Sequence, residues 1–327
     1  MLQAAVQSLE KLDTPDDCSI EVIVVDNASI DGAADWAAAS GCRTVRLARN
    51  EGFASAVNRG IDLSCGDDIV VMNDDVELAP DWLVHIYRAL KASEQSWFAC
   101  GKTLCYADRS RIDGAGDAVC RGGASWRIGH GRKECPQFDI PRQTYFPSGT
   151  ATLFRRDFFE KVGRFDEDFF AYLEDVDLGL RAVEAGLGGI YVPEARAYHH
   201  GSLTGRAWSP EMVRWITAHQ ILLLAKHYPA RLLFRYGWNI LVAQLLWAAM
   251  AMSHGRVVAW MRGMAAGLQH ARQSRFQARG LREKADRLPE VLSTMETEIV
   301  RLQQETGFDG YWRWYFRLVR APARDEE

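Results

Sequence analysis

Two apolar runs of strand length each stop on acid and amide side chains, and that repeat constrains the fold more than any other feature of the chain. Ile20-Glu21-Val22-Ile23-Val24-Val25 ends at Asp26-Asn27-Ala28-Ser29, and Asp68-Ile69-Val70-Val71-Met72 ends at Asn73-Asp74-Asp75. Helical spacing lies between and around them. Leu2, Val6, Leu9 and Leu12 share one helix face, a second helix is expected over Ala33–Ala39, and a third opens after the Asn50-Glu51-Gly52-Phe53 turn and runs through Asn58-Arg59-Gly60. Adding a strand near 44–47 and a helix after Pro80, the alternation predicts an α/β domain with a mostly parallel central sheet. In open sheets of that kind, ligands bind beyond the carboxyl ends of the strands. Asp26 and Asn73-Asp74-Asp75 stand at such ends.

From about residue 98 to 147 the pattern loosens into a stretch rich in Gly, Arg and Asp, read as a substrate-facing insertion with short strands. Order returns with Phe146-Pro147-Ser148-Gly149-Thr150-Ala151 and a helix over 157–162. An acidic helix is expected from Glu174 to Ala185, ended by Gly186. A strand at 190–192 then leads to Tyr198-His199-His200-Gly201.

Charge divides the chain. Residues 1–205 hold 21 Lys and Arg against 32 Asp and Glu, residues 206–287 hold 13 against 3, and the last 40 hold 5 against 8. The expected organisation is therefore an acidic α/β domain over 1–205 and a helical region over 206–327, basic and amphipathic to about 287. In the basic block Arg residues interleave with long aliphatic runs, which suits an anionic membrane surface better than nucleic acid. The stretch 232–252 is nearly apolar but contains Arg235, Asn239 and Gln244, so it is marginal as a spanning helix; helices lying in the interface are expected, with true insertion or an ordinary helical subdomain as the alternatives. A polar helix over 281–305 reads as a surface or pairing element. Seven cysteines without a CxxC pair read as reduced thiols of a cytosolic protein.

Carboxylates at a strand end suit a divalent cation that holds a phosphate, because Mg²⁺ is usually bound by one or two carboxylates together with substrate oxygens. A separate acid cluster, Glu174-Asp175-Val176-Asp177, suits general base work. Each element also has a plainer reading: Asn and Asp favour turns, acids at a helix start complement its dipole, and neighbouring histidines can simply pack in a core.

Taken in order, Val24-Val25-Asp26-Asn27-Ala28-Ser29, Asn50-Glu51-Gly52-Phe53 with Asn58-Arg59-Gly60, Met72-Asn73-Asp74-Asp75 and Glu174-Asp175-Val176-Asp177-Leu178 resemble the family 2 inverting glycosyltransferases, in particular their rhamnosyltransferase-like bacterial branch. The resemblance is close over about 1–205 and looser beyond. It implies a nucleotide-diphospho-sugar-binding domain of the GT-A type and a divalent cofactor, Mg²⁺ or Mn²⁺. By resemblance Asp26 contacts the nucleobase or ribose, and Asn73 and Asp75 fill the outer positions of the metal-binding Asp-x-Asp motif, with Asp75 the safer ligand. Asp175 is the catalytic base, and His199 or His200 helps hold the metal or the diphosphate. The wider substrate-binding set is Asp26, Asn27, Asn50, Gly52, Asn58, Asn73, Asp74, Gly149, Thr150 and Glu174. Trp126, Trp208 and Trp215 are candidates for stacking on sugars, with core packing the plainer reading.

The partners so implied are a nucleotide-diphospho-sugar donor, dTDP-rhamnose being the branch's example, and a saccharide or lipid-linked saccharide acceptor. The expected place of work is the inner face of the cell membrane, in cell-surface polysaccharide synthesis. Family members begin with an apolar strand ending in a Tyr-Asn-like pair, whereas this sequence opens at the helix that follows it. A start upstream of Met1 that encodes the strand is expected. The alternative is a non-catalytic nucleotide-sugar or glycan-binding remnant. A nucleotidyltransferase is disfavoured, since the Gly- and Lys-rich signature that holds a triphosphate is not visible.

Overall fold

The computed structural model describes residues 1–201, 208–278, 280, 282 and 285–319. Two compact units divide them. The first comprises residues 1–116, 129–179 and 187–201. The second comprises 117–128, 180–186 and 202–327 and so takes two segments from inside the expected first domain. The expected boundary at 205/206 lies outside the described residues.

The first unit opens with α1 (Leu2–Leu9), β1 (Ile23–Asp26), α2 (Ala33–Ala39), β2 (Arg43–Arg46), α3 (Phe53–Leu63), β3 (Asp68–Met72), β4 (Val76–Leu78) and α4 (Trp82–Ala92). These are the alternating elements expected from periodicity. Strands β1 and β2 pair in parallel as a sheet of two.

The larger sheet is mixed, which corrects the mostly parallel arrangement read from sequence. Its path runs β3, β10 (Ala151–Arg155), β5 (Ser96–Cys105), β11 (Gly188–His199), β4, with β6 (Ile112–Gly114) added on β5 and β9 (Arg142–Thr144) on β11. Only β5 and β11 run in parallel; β10 lies antiparallel between β3 and β5. Helical crossovers impose parallel pairing, and β10 instead returns through the excursion over 106–150. The stretch read as loop-rich also contains β5, a ten-residue strand buried along nearly its whole length. Lys102 in its middle is fully buried, its Nζ donating to Glu134 Oε1 at 2.8 Å and to Asp139. The charge is therefore paired rather than stranded in the core.

The second unit is helical: α7 (Pro210–His227), α8 (Ala230–Arg235), α9 (Gly237–Ser253), α10 (Val257–Gln277) and two further helices over Leu288–Thr306 and Gly310–Leu318. The hairpin of β7 (Asp117–Val119) and β8 (Ser125–Arg127) belongs to it. At that hairpin's turn the Arg121 amide donates to Glu296 Oε1 at 2.9 Å, and Tyr315 Oη donates to the same oxygen at 2.7 Å. Helix Leu288–Thr306, read from sequence as a surface or pairing element, buries Leu288, Leu292, Ile299, Leu302 and Glu296 and is a core element of this unit. Among the described residues no helix is long and apolar enough to cross a membrane.

Helix α10 lies very close to α7. A β-carbon added at Gly263 would stand 2.5 Å from the Arg214 carbonyl oxygen, and one at Gly267 2.9 Å from that of Ala218. Backbone cannot yield as a side-chain tip can, so overpacking here is costly. Gly263→Ala is expected to lower stability by about 1–3 kcal/mol, read as an earlier urea midpoint. An unchanged midpoint would show that the two helices do not meet at this spacing.

Candidate active site

The Asn73-Asp74-Asp75 turn joins β3 to β4 within the first unit. Register carries it to β10: Met72 pairs with Ala151, and the Asn73 amide donates to the Thr150 carbonyl at 3.1 Å. The Asn73 side-chain Oδ1 is buried and has no hydrogen-bond partner within the protein. Burial, and then the neighbouring Asp75, push the Asp74 carboxyl above its ordinary value. Two adjoining carboxylates with a buried orphan oxygen form a hard, anionic donor set, the kind that a divalent cation neutralises.

His199 closes one side of this set. It lies on β11, paired with Val76 at the start of β4. Its Nε2 stands 3.2 Å from Asp75 Oδ1, and its Nδ1 2.9 Å from Asp113 Oδ2. Burial opposes the imidazolium, but the Asp113 and Asp75 contacts outweigh it and push the His199 pKa up to about 9. Asp113, on β6, is itself buried. Sequence reasoning passed it over, since a single acid inside Ile112-Asp113-Gly114 carries no spacing signal. The His200 amide donates to the Asp75 carbonyl at 2.9 Å, but its side chain is engaged elsewhere. Its Nε2 bonds Glu77 Oε1 at 2.8 Å, and its ring stacks on Tyr106 with centroids 3.7 Å apart. Among the described residues no three His, Cys, Asp or Glu side chains are gathered as a complete metal cage. The oxygens at Asn73–Asp75 fit a cation whose remaining ligands come from substrate.

The second acid motif reaches the same place through the adjacent residue of β10's approach. The Gly149 amide donates to Asp175 Oδ2 at 3.1 Å, one residue before the carbonyl that holds Asn73. Asp175 Oδ1 accepts from the Val176 amide at 2.8 Å, in the first turn of α6 (Glu174–Glu184). Both acids lie close to this glycine: a β-carbon at 149 would stand in van der Waals contact with them, 3.4 Å from Asp175 Oδ2 and 3.9 Å from Glu174 Oε1. Just before α6, Tyr172 and Leu173 both adopt left-handed backbone, φ 69° and 70°. Such residues cost of order 1–3 kcal/mol each. The chain is thus held in an unfavourable shape at the point where it presents Glu174 and Asp175.

The remaining candidates divide by what their polar atoms do. Asp26, at the end of β1, accepts from the Ser29 amide at 2.9 Å. Asn27 donates to the Gly52 carbonyl at 2.9 Å and accepts from the Glu51 amide at 2.8 Å; Asn50 Oδ1 accepts from both Asn27 and the Gly52 amide. Gly52 has φ 89°, and a β-carbon on it would meet the Phe170 carbonyl oxygen at 2.5 Å. These three shape the 50–53 turn. Asn58 is buried and spends its amide on Phe165, bonding both its carbonyl and its amide, and on Glu167. Thr150 is buried beside Ser148, its Oγ1 3.3 Å from Ser148 Oγ. Trp126 packs edge-on against Trp312, and Trp208 stacks on Trp247 and His254, all in the second unit.

The raised His199 pKa makes a signed expectation. Its proton is held more tightly in the folded chain, so the stabilisation is complete below the ordinary value of 6.5 and is lost as pH rises through about 9. In metal-free buffer the melting temperature of the parent should exceed that of His199→Asn most below pH 6.5, and the gap should narrow above 9. A gap independent of pH would mean that His199 is not held as a cation.

Comparison with known proteins bears on the whole constellation. The family model "Glycosyl transferase family 2" matches residues 1–163. A Mycobacterium tuberculosis N-acetylglucosaminyl-diphospho-decaprenol L-rhamnosyltransferase is 30% identical over 234 residues, covering 64% of this chain and 76% of that protein. The uncharacterized protein y4gI of Sinorhizobium fredii is 31% identical over 211 residues, which is 59% of this chain but only 22% of that longer protein. The crystal structure of GalNAc-T7 with UDP, GalNAc and Mn²⁺ superposes over 81% of this chain and 54% of its own length, with a TM-score of 0.57 at 15% identity, a likeness of fold. The mixed sheet, the strand-end acids and a relative aligned over three quarters of its length agree: the chain belongs to glycosyltransferase family 2.

Proposed function

We propose that this glycosyltransferase moves a sugar, with inversion, from a nucleotide-diphosphate donor to a hydroxyl of a saccharide or lipid-linked saccharide. The observation that carries the reading is the joining of both acid motifs to adjoining residues, Asn73 to Thr150 and Asp175 to Gly149. A relative named for L-rhamnosyl transfer supports dTDP-rhamnose as the first donor to test, and its name supports a diphospho-lipid saccharide as the acceptor class.

In this reading Asp175 receives the acceptor's proton. The Gly149 amide donates to one of its oxygens and the Val176 amide to the other, and together they hold its rotamer. Asn73, Asp74 and Asp75 would hold a divalent cation, Mg²⁺ or Mn²⁺, which when bound supplies positive charge against the leaving diphosphate. Asp113 orients His199 and, through it, Asp75. A carboxylate behind a histidine is a common support for such a site. Asp26 ends β1 and the 50–53 turn is bonded to Asn27 beside it, a strand-end position that would suit the nucleoside half of the donor.

Replacing the base should lower kcat by about 10²–10⁴-fold while leaving donor affinity nearly intact. Asp175→Asn, assayed for sugar transfer and for Mn²⁺-dependent donor binding by calorimetry, separates the two. Full turnover in that variant would end the assignment of Asp175. A panel of dTDP-, UDP- and GDP-sugars, tested for thermal protection with and without Mn²⁺, should show the greatest shift with dTDP-rhamnose, and protection only by a UDP- or GDP-sugar would overturn that donor.

A further inference from the structure

We propose that the outward faces of α9 and α10 dock on an anionic lipid surface. The proposal concerns the second unit alone and does not depend on the sugar-transfer reading. On α9, Trp238, Leu241, Leu245 and Met252 are all more than two-fifths exposed. They recur at helical spacing, while Val242, Ala243, Trp247 and Ala251 turn inward. Helix α10 repeats the arrangement: Ala259, Gly263 and Gly267 are buried against α7, and Val258, Met261 and Leu268 point outward, each about three-fifths exposed. Surface Leu and Met occur singly on most proteins; aligned stripes on consecutive helices do not.

Charge selects the occupant. From Met212 to Arg282 the chain carries ten Lys and Arg and no Asp or Glu. Within α10 the stripe is bordered by Arg262 and Arg272, both exposed. A second copy of this chain would bring Arg262 and Arg272 of both copies face to face. An anionic bilayer instead takes up both properties, the apolar side chains reaching the acyl boundary and the long Arg stems leaving their guanidinium groups among the phosphates. Since none of the described helices can cross a membrane, the contact is one of lying on the surface.

The test uses the full chain and flotation with vesicles of phosphatidylcholine, with or without phosphatidylglycerol. The expected result is at least about tenfold more protein on the phosphatidylglycerol vesicles, with the excess reduced by added salt. Leu245→Gln with Met261→Gln should remove most of it, and because these side chains are 59% and 58% exposed the fold should be undisturbed, checked by circular dichroism. The same double variant should hydrolyse donor or glycosylate a water-soluble acceptor at the parent rate, and Asp175→Asn should float like the parent. Failure of transfer and failure of docking are thereby told apart. The proposal is overturned if the chain ignores both vesicle types, or if the folded double variant still floats fully. It is equally overturned if light scattering shows a concentration-dependent dimer that the double variant splits, for the face would then belong to a second copy.

Discussion

The antiparallel insertion of β10 between β3 and β5 is the constraint on which the candidate site rests. A parallel neighbour at this position would enter from the opposite end, and its first residues would lie far from Asn73. Running antiparallel, β10 begins where β3 ends. Its approach, Gly149-Thr150, is thereby laid across the strand-end acids with one backbone group for each motif. The first is an amide–carbonyl hydrogen bond, worth of order 1 kcal/mol net, and the second runs to a carboxylate, worth about 1.5–3 kcal/mol. Their value here is positional, because the two together link acid motifs about a hundred residues apart in the chain.

Much of this was legible in the sequence, and the reasons are local. Apolar runs that stop on Asp and Asn identify β1 and β3 and the turns that follow them, because a strand's end and its turn are encoded by neighbours. Gly186 ends α6 in a left-handed conformation for the same kind of reason. What escaped was non-local. The apolar run of β5 is interrupted by Gly101-Lys102, and the partners that neutralise Lys102 lie more than thirty residues away. Strand β11 contains Pro193 and a register shift between Val192 and Arg196, so only its first half reads as strand. Periodicity carries no sign of strand direction, which is why a mixed sheet was read as parallel. Asp113 is meaningful only once β6 has brought it beside His199.

The two units differ in how they handle charge. The first collects acids at strand ends and sets His199 among them. The second buries Glu296 under Arg121 and Tyr315 and keeps Arg262 and Arg272 exposed on α10. Removing one member of a buried pair generally costs more than the pair itself contributes, since the survivor is left uncompensated. Glu296 therefore matters as a fastening between the hairpin turn and helix Leu288–Thr306, and its charge has no evident part in chemistry.

The contact between Gly52-Phe53 and Phe170 has a mechanical meaning. The Phe53 amide donates to the Phe170 carbonyl at 2.7 Å, and Gly52 leaves no room between them. Two residues later the backbone enters the left-handed pair Tyr172-Leu173 and then delivers Asp175. The turn after β2 is thus tied by backbone to the segment that leads into α6, so a side chain at residue 52 would push on the same stretch that carries the left-handed pair and, after it, Asp175.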